Sequence, residues 1–177
     1  LPYYEYVPGY QFLHCLINKA DGGSSTAVDG FAVADFFKKY HLKKFKLLSN
    51  NDVVFKDNDY TQKNIRVQKT PIIKTNKHND IEEVRINLGA MGTLDINPKI
   101  MNNFYEAYTL FYRQLHSKKF QIEFKLKAGD IFCFDNRRIL HGRKEFNPNS
   151  GNRHLQGYYI EKEEIKSKLN YLNKVKF

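Results

Sequence analysis

The chain has 177 residues, 41% hydrophobic and 15% aromatic, enough to bury a substantial core in one domain covering residues 1–177. It contains no apolar run of about 18 residues and no basic stretch leading into an apolar segment, which argues against a membrane-spanning helix and a signal peptide. The net charge of +10 would suit a nucleic-acid binder, but no recognition motif accompanies it.

Tyr10 to Ile17 is apolar on both faces, as in a buried central strand. A turn at Asp21-Gly22-Gly23 leads to a short strand at Ser25 to Val28, and Asp29 then caps a helix. Lys38, Lys39, Lys43, Lys44 and Lys46 are interleaved with Phe36, Phe37, Tyr40, Leu42, Phe45, Leu47 and Leu48. That pattern reads as the wet face of amphipathic helix, and a basic field also suits small anionic substrates. Strands are expected at Val53 to Lys56, Pro71 to Thr75 and Glu83 to Leu88, with a turn at Asn76 to Asp80. A second helix starts from an Asn97 cap and Pro98 and carries Ile100, Phe104, Tyr108, Phe111 and Leu115 at helical spacing.

Gln121 to Lys127 alternates apolar and polar residues, Ala128-Gly129-Asp130 turns, and strands follow at Ile131 to Phe134 and Leu155 to Ile160. A third helix, Glu161 to Lys174, carries Ile165, Leu169 and Leu172. Many short strands with a few covering helices predict a mainly β jelly-roll, the double-stranded β-helix, because the strands do not alternate regularly with helices. Cys15 and Cys133 lie inside apolar runs and are expected to be reduced core thiols of a soluble, cytoplasmic protein.

The stretch from Ile131 to Ile160 carries the chemistry. His141 ends a strand, a polar loop follows, and Arg153 comes 12 positions later. A double-stranded β-helix holds a metal beside an anionic co-substrate in this way, which points to an oxygenase. A non-haem iron(II) oxygenase uses two histidines and one carboxylate on one face, and a guanidinium returning on the adjacent strand clamps a carboxylate through two parallel hydrogen bonds. Taken singly, His141 also fits a hydrogen-bonded histidine at a loop entry, and Arg153 fits a surface ion pair. His78-Asn79-Asp80 spells the missing His-x-Asp pair, but its polar surroundings are hairpin-turn composition that would leave both side chains in solvent.

Three blocks carry a resemblance: LPYYEYVPGYQFLHCLINKADGGSSTAVDGFAVADFF at 1 to 37, EVRINL at 83 to 88, and AGDIFCFDNRRILHGRKEFNPNSGNRHLQGYYI at 128 to 160. They resemble the C-terminal part of the gamma-butyrobetaine hydroxylases, the bacterial form above all, within the taurine-dioxygenase-like 2-oxoglutarate oxygenases. In that family His-Thr-Asp, carrying two iron ligands, immediately precedes the segment that resembles Leu1 to Gly9. The resemblance therefore implies that the N-terminal part of the domain is missing here, that only the distal ligand, His141, is retained, and that this piece alone is inactive.

The resemblance further implies that Arg153 binds the distal carboxylate of 2-oxoglutarate, that Ser25 places a hydroxyl near it, and that Tyr159 meets a trimethylammonium group. Gly-Gly-Ser is first of all a turn signal, and Tyr159 also fits an aromatic core. Where the animal enzymes carry asparagines implicated in substrate binding, this chain has Leu88-Gly89-Ala90-Met91-Gly92. The implied reaction hydroxylates an unactivated C–H, most directly gamma-butyrobetaine to L-carnitine, using Fe(II), 2-oxoglutarate and O2 with ascorbate as reductant. Trimethyllysine, sulfonate or carboxylate substrates stay open, as does a non-enzymatic jelly-roll binding module. The expected partners are small molecules, without nucleic acid or membrane, and a homodimer stays open.

Overall fold

A computed structural model describes residues 1–174 of the chain. The elements run β1 (Tyr10–Asn18), β2 (Ser25–Asp29), α1 (Gly30–Tyr40), α2 (Leu42–Asn50), β3 (Asp52–Asp59), β4 (Asn64–Pro71), β5 (Ile73–Thr75) and β6 (Ile81–Val84). A 3-10 turn at Pro98–Ile100 then leads into α3 (Met101–Leu115), followed by β7 (Gln121–Phe124), β8 (Ile131–Asp135), β9 (Ile139–Arg143), β10 (Arg153–Ile160) and α4 (Lys162–Lys174). Two sheets have three strands, in the orders β10-β1-β8 and β7-β2-β9, and β3–β4 and β5–β6 form two-stranded ribbons. The chain divides into two compact units, one of residues 1–7, 27–122 and 137–140, the other of residues 8–26, 123–136 and 141–177.

The first unit is built on helices. Asp29 caps α1 by accepting from the backbone N–H groups of Phe31 (3.0 Å) and Ala32 (3.3 Å), while the Arg138 guanidinium donates to both of its carboxylate oxygens, the shortest contact being 2.5 Å. Burial alone would push the Asp29 carboxyl up, but the Arg138 fork and these two N–H groups outweigh it and hold the pKa below the ordinary aspartate value. Asn97 likewise accepts from the N–H of Lys99 and starts the turn before α3. The apolar faces of α1, α2 and α3 meet β3 and β5 in one cluster holding Val33, Phe37, Phe45, Leu48, Phe55, Ile73, Phe104 and Phe111. Phe37 and Phe111 pack edge to face at 5.1 Å. Lys39, Lys43 and Lys46 are exposed, as the wet-face reading required.

β4 escapes the sequence pattern. Its two apolar side chains, Ile65 and Val67, are 61% and 55% exposed, so no buried face marks it, and pairing with β3 from Asp52↔Pro71 to Asp59↔Asn64 defines the strand. The expected strand at Glu83 to Leu88 instead ends at Val84. Arg85 leaves the ribbon because its guanidinium turns to the carbonyls of Pro2 (2.9 Å), Tyr4 (2.7 Å) and Glu5 (3.0 Å) and to the Glu83 carboxylate (3.0 Å). The Asn87 side chain then accepts from the N–H of Gly89, and Gly92 donates to the carbonyl of Val54, which ties the Leu88 to Gly92 loop to β3.

In the second unit β1 is central by backbone pairing, antiparallel to β10 on one side and β8 on the other. Its side chains correct the expectation of burial on both faces. Only Gln11 and Cys15 are buried, and Leu16 and Ile17 are exposed. Cys133 is a second correction. Cys15 is a buried free thiol, whereas Cys133 is a free thiol on the exposed side of β8, because alternation along Ile131–Asp135 turns Phe134 inward and Cys133 outward. α4 forms where expected but leaves Leu169 and Leu172 exposed. Among the described residues no helix is long and apolar enough to cross a membrane.

Candidate co-substrate and metal site

His141 lies in the middle of β9, and its ring packs against Phe134 of β8 at 4.7 Å between centroids. Phe134 in turn touches Phe132 (4.7 Å), and Phe132 touches Phe124 (4.9 Å), so a file of aromatic rings leads to the imidazole. By surface area His141 is nonetheless exposed, with one side of the ring covered by Phe134. Desolvation by the packed atoms lowers its pKa from the ordinary histidine value, which favours the neutral ring that a metal needs. Next to it Gly142 leaves little room for a side chain, since a Cβ there would come to 3.0 Å from the Thr26 hydroxyl.

Arg153 opens β10 and pairs in register with Asn18 of β1. β10 adjoins β1 whereas β9 adjoins β2, so Arg153 does not return on the strand beside His141; the intervening loop crosses from one sheet to the other. Arg153 stands instead against the Gly22-Gly23 turn, with φ of +75° and +68°. A Cβ on Gly23 would lie 3.4 Å from the Arg153 Nε and 3.1 Å from the Phe146 Cβ. The guanidinium carbon of Arg153 lies 5.5 Å from the centre of the Phe146 ring, and that of Arg143 lies 4.5 Å from the same ring. Burial, followed by the nearby Arg143 charge, lowers the Arg153 pKa. Its Nε is buried without a hydrogen-bond partner among the described residues. An unsatisfied buried donor in a cationic setting fits a carboxylate ligand.

Ser25 is buried and begins β2, two residues beyond the Gly22-Gly23 turn. Tyr159 sits on β10 opposite Gln11 and is 44% exposed, so it is no core aromatic. By alternation it shares a strand face with Arg153, yet six residues at about 3.3 Å each put it about 20 Å further along. The structure thus groups Ser25 and Arg153 about one turn and leaves Tyr159 apart. Arg143, two residues after His141, was the second candidate for the anchor, and Phe146 was missed as a member of this group. The visible signal was a lone aromatic residue in an otherwise polar loop.

His78 and Asp80 lie exposed in the turn between β5 and β6, where the Asn76 side chain accepts from both of their N–H groups and Asn79 has φ +61°. Among the described residues no group of three or more His, Cys, Asp or Glu side chains could hold a metal ion. His141 fits a single ligand position. The residues present therefore do not make a complete iron site.

The chain is 36% identical over 174 residues to the gamma-butyrobetaine dioxygenase of Pseudomonas sp. (strain AK-1), covering 98% of this chain and 45% of that protein. It is 30% identical over 176 residues to the trimethyllysine dioxygenase of Meyerozyma guilliermondii, covering 97% of this chain and 43% of that protein. The chain thus spans about half the length of these curated relatives. Among solved structures, AAD-2 in complex with Mn(II) and N-oxalylglycine superposes with a TM-score of 0.69 at 12% identity, over 89% of this chain and 65% of that one, in keeping with a jelly-roll fold. With residues 1–159 matching the taurine catabolism dioxygenase TauD, TfdA family, the chain belongs to that family.

Proposed function

We propose that this chain carries the 2-oxoglutarate anchor and one metal ligand of an Fe(II)/2-oxoglutarate-dependent dioxygenase that hydroxylates a small trimethylammonium substrate, gamma-butyrobetaine giving L-carnitine. The observation that carries the reading is Arg153, whose buried Nε has no partner among the described residues beside the left-handed Gly22-Gly23 turn. Bound iron and 2-oxoglutarate supply the oxidative chemistry, with ascorbate keeping the metal reduced. The chain's own residues bind and orient. His141 offers a neutral imidazole as one ligand, Arg153 holds the far carboxylate of 2-oxoglutarate, Ser25 stands by it, and Tyr159 offers a ring face to a quaternary cation.

Two relatives support a trimethylammonium substrate and divide on which one. The 36% identical protein is named for gamma-butyrobetaine and the 30% identical one for trimethyllysine. The first is the better supported. The free thiol of Cys133, exposed on β8, suits the reducing cytoplasm.

The test measures succinate release from 2-oxoglutarate, with Fe(II), ascorbate and O2, for the longest natural form of the protein given each substrate in turn. Turnover with gamma-butyrobetaine that His141→Ala abolishes is expected. Turnover confined to trimethyllysine would move the substrate, and full activity in His141→Ala would remove the ligand assignment. Residues 1–177 by themselves should stay at background, since one protein ligand does not hold iron with useful affinity.

A further inference from the structure

The Nε of Arg153 is buried without a hydrogen-bond partner among the described residues, and its guanidinium shares the Phe146 ring with that of Arg143. A long guanidinium side chain ordinarily samples many rotamers, and ordering it on ligand binding costs conformational entropy. Something else must hold Arg153 ready. Its close neighbours are the ring of Phe146 and the backbone of Gly23.

Phe146 is itself fixed by backbone. The loop that carries it is stitched to the glycine turn rung by rung: Lys144 donates to the carbonyl of Ser24 (2.9 Å), Gly23 to that of Glu145 (2.8 Å) and Asn147 to that of Asp21 (3.1 Å). Gly22 and Phe146 form an antiparallel bridge in the middle of this ladder. The ring is therefore placed by main-chain hydrogen bonds, and both guanidinium groups lie within cation–π reach of it. Two cations on one ring repel each other until an anion arrives.

We propose that Phe146 is the positioning residue of the co-substrate site: its ring holds Arg153 against the Gly22-Gly23 turn and keeps Arg143 as a second cation for the same dicarboxylate. The inference rests on the reading of Arg153 as the 2-oxoglutarate anchor. A ring at this position is needed; the aliphatic bulk of leucine does not replace it.

The experiment compares Phe146→Leu, Phe146→Tyr, Gly23→Ala and Arg153→Lys in the longest natural form of the protein. Two readouts are taken: the KM for 2-oxoglutarate against kcat, and calorimetric binding of glutarate, a five-carbon dicarboxylate that lacks the keto group and reports the anion site without turnover. Phe146→Leu should weaken both 2-oxoglutarate and glutarate about 3- to 10-fold, the loss expected from one partly desolvated cation–π contact, with kcat little changed. Phe146→Tyr should restore wild-type values. Gly23→Ala keeps the ring but strains a left-handed residue and crowds the Arg153 Nε, and it should weaken binding in the same direction. If Phe146→Leu and Gly23→Ala bind glutarate like wild type while Arg153→Lys binds it poorly, the positioning role of Phe146 is overturned and the anchor stands. If Arg153→Lys is unchanged, the anchor falls and the positioning role falls with it.

Discussion

The two units divide structure from chemistry. The unit built on α1, α2 and α3 contains Phe37, Phe55, Phe104 and Phe111 with no exposed surface, yet the site string it contributes, His78-Asn79-Asp80, is held in a turn by the Asn76 side chain. The unit built on β1, β8 and β10 buries fewer large side chains, while its buried residues include Ser25 and Thr26, and it supplies His141, Arg143, Phe146 and Arg153. Close packing stabilises by removing apolar area from water, whereas a site needs charged groups left short of partners, and the same residues do not serve both ends.

The largest effect that would sharpen this contrast belongs to the helical core. Phe111→Ala should cost about 3–5 kcal/mol of stability, because it removes a fully buried ring and its edge contact with Phe37. Urea unfolding measures it, and a loss below about 1 kcal/mol would mean that this cluster does not carry the fold.

Arg153→Lys tests the other side of the contrast. It should leave the unfolding midpoint nearly untouched while weakening 2-oxoglutarate by about 30-fold or more, equivalent to about 2 kcal/mol or more for the loss of one partner of a buried charge pair. Iron binding should stay unchanged, since Arg153 is not proposed as a ligand.

A smaller loss is expected at the head of α1. Asp29→Ala removes the cap and the Arg138 pair and should cost about 1–2 kcal/mol. The Asp29 pKa is depressed in the folded state, so its contribution is present above the unfolded aspartate value of about 3.9 and is lost as pH falls through the lower, folded value. The stability gap between wild type and Asp29→Ala should therefore be constant near neutral pH and close in acid below about pH 4. A gap that persists unchanged in acid would assign the effect to packing instead of charge.

The smallest effect should come from the lookalike motif. His78→Ala removes an exposed turn side chain and should change stability and turnover by no more than about 0.5 kcal/mol equivalent. Loss of iron binding in a folded His78→Ala protein would bring His78 back as a ligand and break the division between the two units.

Much of this was legible in the sequence, for identifiable reasons. Local chemistry announced itself: Asp29 and Asn97 as caps, Gly22-Gly23 and Asn76 to Asp80 as turns, and the helical spacing of Phe104, Tyr108, Phe111 and Leu115 all act within a few residues of chain. The resemblance to the family was likewise visible, and the spacing of His141 and Arg153 marked both as candidates without showing that they lie in different sheets. What sequence could not supply was decided across distance. β4 exists because β3 pairs with it. Glu83 to Leu88 stops short because Arg85 reaches back to Pro2, Tyr4 and Glu5, and Arg153 stands beside Gly23 and Phe146 because the loop after β9 changes sheets. Periodicity reports which face of an element is apolar, but hydrogen-bond register and the partner of a long cation are set by segments far apart in the chain, and only the tertiary structure brings those together.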